Sequence, residues 1–276
     1  MNLALIGHPI GHTLSPAMQK AALAEKFPTA EYIPIDIPPG KLVVAVEGLR
    51  NLGFRGFNVT IPHKTNVMQF LDEVDPDAKI IGAVNTVVNN GGRLTGYNTD
   101  VIGFLAGLEN FNVTDSNAVM LGAGGAARAV LWALCKRKAK KISIGVRNAI
   151  KAQKLADDFK DLGTIEVFHW EDQTFDDRLS EADILINTTP LGMNPHIDDM
   201  PPIDLRKLNR SAFVYDLIYT PEKTKFLLEA EKLGHRIANG VEMLIFQGAE
   251  SFRLWTGEYA DVEIMRRAML DSLSQL

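Results

Sequence analysis

One short segment limits the folds open to this chain more than any other. Ala118 to Leu121 reads as an apolar strand, Gly122-Ala123-Gly124-Gly125-Ala126 as a turn, and the residues through Leu134 as a helix. The turn fits G-x-G-x-x-A, with Ala127 as the third small residue. The first glycine permits the tight turn and the second lets a pyrophosphate approach the backbone. The small third residue keeps helix and strand close, and the helix N-terminus supplies oriented N–H groups for an anion. The competing reading is a turn chosen for packing alone. A strand before, a helix after and a βαβ unit around it favour a dinucleotide.

The rest of the chain repeats that alternation. Leu3–Ile6 reads as a buried strand and Ser15–Lys26 as a helix with proline near its start. Tyr32–Ile37 is strand-like, Lys41–Leu52 helical and Gly56–Val59 a short strand. Val84–Val88 and Arg93–Tyr97 flank Asn89-Asn90-Gly91-Gly92, the signature of a hairpin, which would place an antiparallel edge on a mostly parallel sheet. After Asp100 come strands at 118–121 and 141–146 and near Ile165, Ile184 and Val214, with helices between them. That alternation predicts a parallel, doubly wound sheet. From Val241 two helices follow, separated near Thr256-Gly257. The expected class is therefore α/β with two domains. An N-terminal domain with a mostly parallel sheet covers 1–100, a Rossmann-like domain 101–240, and C-terminal helices at 241–276 return to the first domain.

Composition excludes several classes. Lys and Arg total 29 against 34 Asp and Glu, a net charge of −5 that gives little support to nucleic acid or an anionic membrane as partner. No stretch reaches the roughly 20 apolar residues of a membrane span, and Met1–Gly7 lacks the features of a secretory leader. The single cysteine, Cys135, allows no intrachain disulfide and suits a reducing compartment, so a cytoplasmic location is expected. Cys135 itself reads as packing, as do Phe252 and Trp255. His63, His169, His196 and His235 lack ligand spacing and read as surface or turn residues. Pro9 and Gly11 between His8 and His12 argue against a helical metal pair, and no metal is expected.

The residues after the second Rossmann strand indicate which dinucleotide fits. A carboxylate there would bind the ribose hydroxyl of NAD, and a basic residue would accept the 2′-phosphate of NADP. The sequence is Val146-Arg147-Asn148-Ala149-Ile150-Lys151, with no acid before Asp157. Arg147 and Lys151, four apart, can clamp a phosphate with Asn148 adding a hydrogen bond, so NADP is favoured over a plain solvated basic face.

Three polar clusters lie beside strands of the first domain. Gly7 to Pro16 carries Thr13 and Ser15 at a helix N-terminus, where hydroxyls and N–H groups suit a carboxylate, although Ser15 also reads as a helix cap. Asn58-Val59-Thr60-Ile61-Pro62-His63-Lys64 follows a strand, with Asn58 and Thr60 on one face. Asn85-Thr86 lies across the hairpin from Gly96-Tyr97-Asn98-Thr99-Asp100. Asn and Thr at strand ends can bind a polyhydroxylated ligand, and a lysine with an aspartate can move a proton. Asp100 has the alternative of simply beginning the next helix.

Taken together, GHPIGHTLSP, NVTIPHK, GAVNTVV, GYNTD, GAGGAARA, INTTPLGM, YDLIYTPEKT and NGVEMLIFQGAESFRLWTG resemble, in order from Gly7 to Gly257, the motifs of the shikimate dehydrogenase family. The resemblance implies reduction of 3-dehydroshikimate to shikimate with NADPH, a step on the chorismate route to aromatic amino acids. It implies Lys64 as the catalytic lysine and Asp100 as its acidic partner. Thr13 and Ser15 would hold the substrate carboxylate. Thr60, Asn85, Asp100 and Gln247 would meet substrate hydroxyls, with Asn58 and Tyr219 close by. Gly122, Ala123, Gly124, Gly125 and Ala126 match the pyrophosphate loop, Arg147, Asn148 and Lys151 the adenosine-phosphate clamp, and Leu217, Gly240 and Met243 the nicotinamide flank. Three positions depart from the pattern. Thr13 stands for the usual serine, Val146-Arg147-Asn148 for Asn-Arg-Thr, and Gln19 for a histidine.

A lysine is mostly protonated at neutral pH, so Lys64 suits the role of acid in reduction. In the oxidative direction Lys64 acts as acid/base itself or stabilises charge beside an Asp100-assisted path. The runners-up are a quinate/shikimate dehydrogenase of broader substrate or cofactor use, and a non-catalytic NADP- or shikimate-binding regulator. The expected partners are these small molecules, and a homodimer is left open.

Overall fold

The computed structural model describes residues 1–11 and 13–274; His12 and the pairing considered for it with His8 lie outside the described residues. The chain divides into two compact units, one of residues up to Gly103 together with those from Leu244 onward, the other of Phe104–Met243. Each is built around one six-stranded sheet.

The first unit contains β1 (Asn2–Gly7), α1 (Ser15–Lys26), β2 (Glu31–Asp36), α2 (Leu42–Asn51), β3 (Gly56–Val59), β4 (Glu73–Val74), α3 (Pro76–Ile81), β5 (Thr86–Asn90) and β6 (Arg93–Tyr97). The chain leaves it through α4 (Asp100–Gly107) and returns through α9 (Val241–Thr256) to end with α10 (Val262–Leu273). The strand order is β2-β1-β3-β5-β6-β4. Only β5 runs against its neighbours, antiparallel to both β3 and β6, while β4 pairs parallel to β6. The hairpin is therefore inside the sheet and not at its edge. The two-residue β4, invisible as a hydrophobic run, takes the edge because Asp72 N–H and Asp75 N–H bond the carbonyls of Leu94 and Gly96.

The sequence reading also assigns no element to α3, yet its ends carry clear signals. Asp75 caps the N–H groups of Asp77 and Ala78, Pro76 takes the first turn, and Gly82 closes the helix at φ 68°. The core of this unit gathers Ala4, Ile6, Val46, Phe57, Val59, Val67, Val84 and Val87.

The second unit holds β7 (Asn117–Leu121), α5 (Gly125–Lys136), β8 (Lys141–Val146), α6 (Ala149–Asp158), β9 (Ile165–His169), α7 (Gln173–Glu181), β10 (Ile184–Asn187), β11 (Phe213–Asp216), α8 (Lys225–Lys232) and β12 (Arg236–Ala238). Its order is β12-β11-β10-β7-β8-β9, parallel throughout. This is the doubly wound order, and its switch point lies between β7 and β10, where ligands bind at the strands' carboxyl ends. The sequence reading places no bounds on α7, α8 or β12. Phe175 of α7 and Phe226 of α8 are fully buried in the core with Val119, Leu121, Leu185 and Val214, each ring contributing about 1.5–3 kcal/mol.

The histidines need one correction. His63 and His235 are buried and bond the carbonyls of Ile37 and Ala212, so they are not surface residues. Cys135 is buried, and desolvation pushes its thiol up to about 11, which makes it inert packing.

α9 is seated on the first sheet by Trp255, whose Nε1–H donates to Val87 O at 2.9 Å. Gly56 makes room for it, because a Cβ there would lie 2.3 Å from Trp255 Nε1 and 2.4 Å from Val87 O. Gly56→Ala is therefore expected to lose roughly 2–4 kcal/mol, combining overpacking with a broken buried hydrogen bond. Denaturant unfolding followed by tryptophan fluorescence measures this, and a loss below about 0.5 kcal/mol would mean that the seat relaxes freely.

Candidate active site

Strand ends and their connections present the polar residues of the first unit. Gly7 ends β1 beside Thr60, and a Cβ on it would reach within 2.3 Å of Thr60 Cγ2, so the strand can pass only as glycine. Beyond it, α1 starts at Ser15 with Leu14 as N-cap and no side-chain cap. Ser15 is thus the first helical residue and not the cap. It is buried, and its hydroxyl has no hydrogen-bond partner among the described residues. Thr13 Oγ1 accepts weakly from Ser15 N–H at 3.4 Å. Two hydroxyls and an uncapped helix start form a donor set suited to a carboxylate. Gln19, one turn on, is fully buried and ties α1 to α9 through Nε2–H to Gly248 O at 2.9 Å.

Lys64 is held on both sides by the backbone. His63 N–H bonds Thr60 O, and Val84 N–H bonds Lys64 O. Its Nζ donates to Asp100 Oδ2 at 2.6 Å, with the two side chains 16% and 5% exposed. The other carboxylate oxygen of Asp100 accepts from Asn85 Nδ2 at 2.8 Å. Asn85 Oδ1 accepts from Thr99 N–H at 2.8 Å, which fixes the amide orientation. Its Nδ2 therefore points to Asp100 and also lies 3.3 Å from Gln247 Oε1. Asp100 does begin α4, with Asn98 Oδ1 accepting its N–H, yet its side chain faces lysine and amide. One network thus contains Lys64, Asn85, Asp100 and Gln247. The Thr60 hydroxyl has no protein partner among the described residues.

Asn58 is different. Buried at the end of β3, it accepts from Tyr32 O–H at 2.7 Å and donates toward Asn85 O, Thr86 Oγ1 and Ser251 Oγ at 3.0–3.1 Å. Its amide is spent inside the protein. Sequence reasoning misses Tyr32 and Ser251, and names Thr86 and Thr99 only as members of a polar cluster. Thr86 and Thr99 adjoin Asn85 and Asp100, and Ser251 follows Gln247 by one helical turn, a spacing that could flag it.

The expected dinucleotide loop of the second unit lies at the switch point. Gly122 has φ +108°, and a Cβ on it would meet Thr188 Oγ1 at 2.7 Å. Thr188 Oγ1–H in turn donates to Leu121 O at 2.7 Å, joining the ends of β7 and β10. Gly124 caps α5 without a side-chain bond, and nothing lies within 4 Å of where its Cβ would stand. Ala123, Gly124, Gly125 and Ala126 are partly exposed, so this cradle and the first-turn N–H groups fit a pyrophosphate. Arg147, Asn148 and Lys151 are exposed after β8. Asn148 Oδ1 caps Lys151 N–H at 3.3 Å, leaving its NH2 free. Arg147 and Lys151 have no ion-pair partner among the described residues, and this cation pair fits a 2′-phosphate. Gly240 N–H bonds Ile218 O at 2.9 Å, and a Cβ on Gly240 would lie 2.0 Å from Leu217 O. Leu217, Tyr219, Gly240 and Met243 all belong to this second unit.

Comparison with known proteins finds one family along the chain. Residues 5–87 match the family described as shikimate dehydrogenase substrate binding domain, 106–199 that described as shikimate/quinate 5-dehydrogenase, and 240–270 the shikimate 5′-dehydrogenase C-terminal domain. A shikimate dehydrogenase (NADP+) of Methanopyrus kandleri is 44% identical over 276 residues, covering 98% of this chain and 95% of its own. A shikimate dehydrogenase solved with NADP+ superimposes with TM-score 0.90 at 41% identity, over 99% of this chain and 95% of the other. The shikimate 5-dehydrogenase of Thermus thermophilus, solved with NADP(H) and shikimate, gives 0.88 at 35% identity over 99% of both chains.

At the carboxyl end of the second sheet, Asp216 ends β11 fully buried. Its oxygens accept from Asn187 Nδ2–H at 3.0 Å, Ile218 N–H at 3.1 Å and Thr224 O–H at 2.6 Å. Burial outweighs these bonds and pushes the carboxyl from 3.8 up to about 7. The folded state therefore binds this proton more tightly than the unfolded one. The group's contribution is complete below pH 3.8 and is lost as pH rises toward about 7. Asp216→Asn keeps the shape, with Thr224 turning its hydroxyl to accept. It should flatten the fall in stability between those pH values by up to about 4 kcal/mol. Thermal melts across that range would show it, and parallel pH slopes for variant and wild type would refute it.

Proposed function

The chain belongs to the shikimate dehydrogenase family, and we propose that it interconverts 3-dehydroshikimate and shikimate with NADP(H), the step that serves chorismate and aromatic amino-acid synthesis. The observation that carries this reading is the Lys64–Asp100–Asn85–Gln247 network in one unit, together with an open glycine cradle and an unpaired cation pair in the other.

In this reading Thr13 and Ser15 hold the ring carboxylate, and Thr60, Asn85, Asp100 and Gln247 orient its hydroxyls. The amides of Gly124 to Ala126 hold the pyrophosphate, Arg147, Asn148 and Lys151 the adenosine 2′-phosphate, and Leu217, Gly240 and Met243 flank the nicotinamide. The bound dinucleotide supplies the hydride. Lys64, as the ammonium, gives its proton to the oxygen of the developing alkoxide while Asp100 keeps Nζ aimed and balances its charge. In the oxidative direction the same Nζ, once neutral, removes the hydroxyl proton. Fixed contacts at the far side of the ring convert binding into orientation at the reacting carbon.

The threonine hydroxyl at position 13 keeps the carboxylate contact but adds a methyl group. That methyl narrows the pocket. The regulator reading finds no support in a lysine and an aspartate held this closely. A cytoplasmic location fits the single buried cysteine, and among the described residues no helix is long and apolar enough to cross a membrane. Self-association as a homodimer fits the exposed Ile33 on edge strand β2 and Val44 on α2, and sedimentation at two concentrations tests it.

Lys64→Ala should lower kcat by about 10²–10⁴-fold while calorimetry finds shikimate affinity kept within a few-fold. Retention of more than about a tenth of wild-type turnover would remove Lys64 from proton transfer. Arg147→Ala should raise KM for NADP+ by roughly 10- to 100-fold, the worth of a charge-assisted phosphate contact, and leave KM for NAD+ nearly unchanged. An equal loss toward both cofactors would place Arg147 outside the 2′-phosphate site.

A further inference from the structure

Ser251 is fully buried on α9 and cannot touch a substrate. Its Oγ nevertheless lies within hydrogen-bonding distance of four partners, each on a different part of the first unit. It is 2.9 Å from Gln247 O on its own helix, 2.7 Å from Thr86 Oγ1 on β5, 3.0 Å from Asn58 Nδ2 on β3 and 3.2 Å from Thr99 Oγ1 before α4. Each partner is, adjoins or shares a strand line with a residue of the proposed site. Gln247 is itself one, Thr86 follows Asn85, Thr99 precedes Asp100, and Asn58 stands two before Thr60.

The donors and acceptors of this cluster can be assigned. Tyr32 is buried, and desolvation holds its phenol protonated, so its O–H donates to Asn58 Oδ1 and turns the Asn58 NH2 inward. Thr99 N–H does the same for Asn85 from the other side, turning that NH2 to Asp100. Between the two fixed amides remain three hydroxyls, of Ser251, Thr86 and Thr99. Ser251 donates to Gln247 O, in the manner of a serine bonding back one helical turn, and accepts from Thr86 O–H and Asn58 N–H. Thr99 Oγ1 then accepts from Asn85 Nδ2 at 2.9 Å and donates to the remaining lone pair of Asn85 Oδ1 at 3.2 Å. Every buried polar hydrogen of the cluster has an acceptor, and a fully satisfied buried network is rigid.

We propose that Ser251 is a positioning residue for the reaction. Through Thr86 and Thr99 it sets the Asn85 amide that orients Asp100, and through Asn58 it is braced against Tyr32 on edge strand β2. The inference rests on the function proposed above. Removing the hydroxyl turns Thr86 O–H to its remaining acceptors, Asn85 Oδ1 at 3.1 Å and Thr99 Oγ1 at 3.3 Å, and the Asn58 NH2 to Asn85 O and Thr86 Oγ1, so the bonds that hold the Asn85 amide are redistributed. Asp100 and Lys64 then lose their fixed aim while Thr13, Ser15 and Thr60, which would hold the ring, stay in place. The loss belongs in kcat and not in KM.

The test compares wild type, Ser251→Ala, Tyr32→Phe and the double variant by steady-state kinetics with shikimate at saturating NADP+, well below the unfolding temperature. Ser251→Ala is expected to lower kcat by roughly 10- to 100-fold with KM for shikimate changed less than about threefold. Tyr32→Phe keeps the ring packed beside Trp255 and serves if Ser251→Ala fails to fold. It should show the same split more weakly. Because both act through Asn58, the double variant should lose less than the product of the single losses. Ser251→Thr, which restores an oxygen at the same position, should recover part of kcat. A kcat within about twofold of wild type for both single variants, or a loss confined to KM, overturns the inference and leaves the proposed function standing. An inactive wild type overturns the proposed function and this inference with it.

Discussion

Asp100 is a buried carboxylate with both oxygens committed, one to an ammonium and one to an amide, and much of the first unit's polar architecture follows from that. A carboxylate held out of water must have its lone pairs met, or it costs several kcal/mol. Meeting them requires a lysine on the connection after β3, an asparagine at the start of the hairpin and a helix whose first residue is the aspartate. The hairpin brings the last two together, since Thr86 pairs with Tyr97 across it. The reversed strand inside an otherwise parallel sheet is thus what makes Asn85 and Asp100 neighbours.

The same constraint explains why the last helices belong with the first unit. Gln247 and Ser251 lie one turn apart on α9, and Trp255 one turn further on. Three successive turns of one helix face therefore supply a site residue, its buried brace and the bulky side chain that seats the helix on β3 and β5. An α9 that shifted along its axis would break all three contacts at once, so the indole bond to Val87 O acts at a distance on the geometry near Lys64.

Much of this is legible in the sequence, for identifiable reasons. The parallel second sheet follows from short apolar runs separated by helical patterns. Lys64, Asn85, Asp100 and Gln247, named from motifs, are bonded to one another in the structure. The elements that the sequence hides are those that the hydrophobic pattern does not report. β4 is two residues long and held by backbone bonds, and β12 is three residues long. Tyr32 and Ser251 stay hidden because they look like ordinary strand and helix residues until their burial is known, whereas Thr86 and Thr99 are visible only as members of a polar cluster. Asn58 reads as a ligand because an asparagine at a strand end can face either way. Only Tyr32, arriving from β2, shows that its amide is used up internally.

The two units solve a similar problem with the same residue types and reach opposite electrostatic ends. In the first, an asparagine amide and a threonine accompany Asp100. In the second, Asn187 Nδ2 and Thr224 Oγ1 accompany Asp216. Both carboxyls end or begin an element at the rim where ligands are expected, and both fix the loops that follow. The difference is the lysine. Asp100 has a cation at 2.6 Å, so its charge is used in place. Asp216 has only neutral donors, so burial prevails and its carboxyl takes up a proton near neutral pH. A carboxyl that readily takes up a proton suits a unit proposed to hold the negative charge of a pyrophosphate. An ion pair suits the place where a proton is to be passed. The chemistry assigned to each unit thus follows from whether its buried aspartate was given a countercharge.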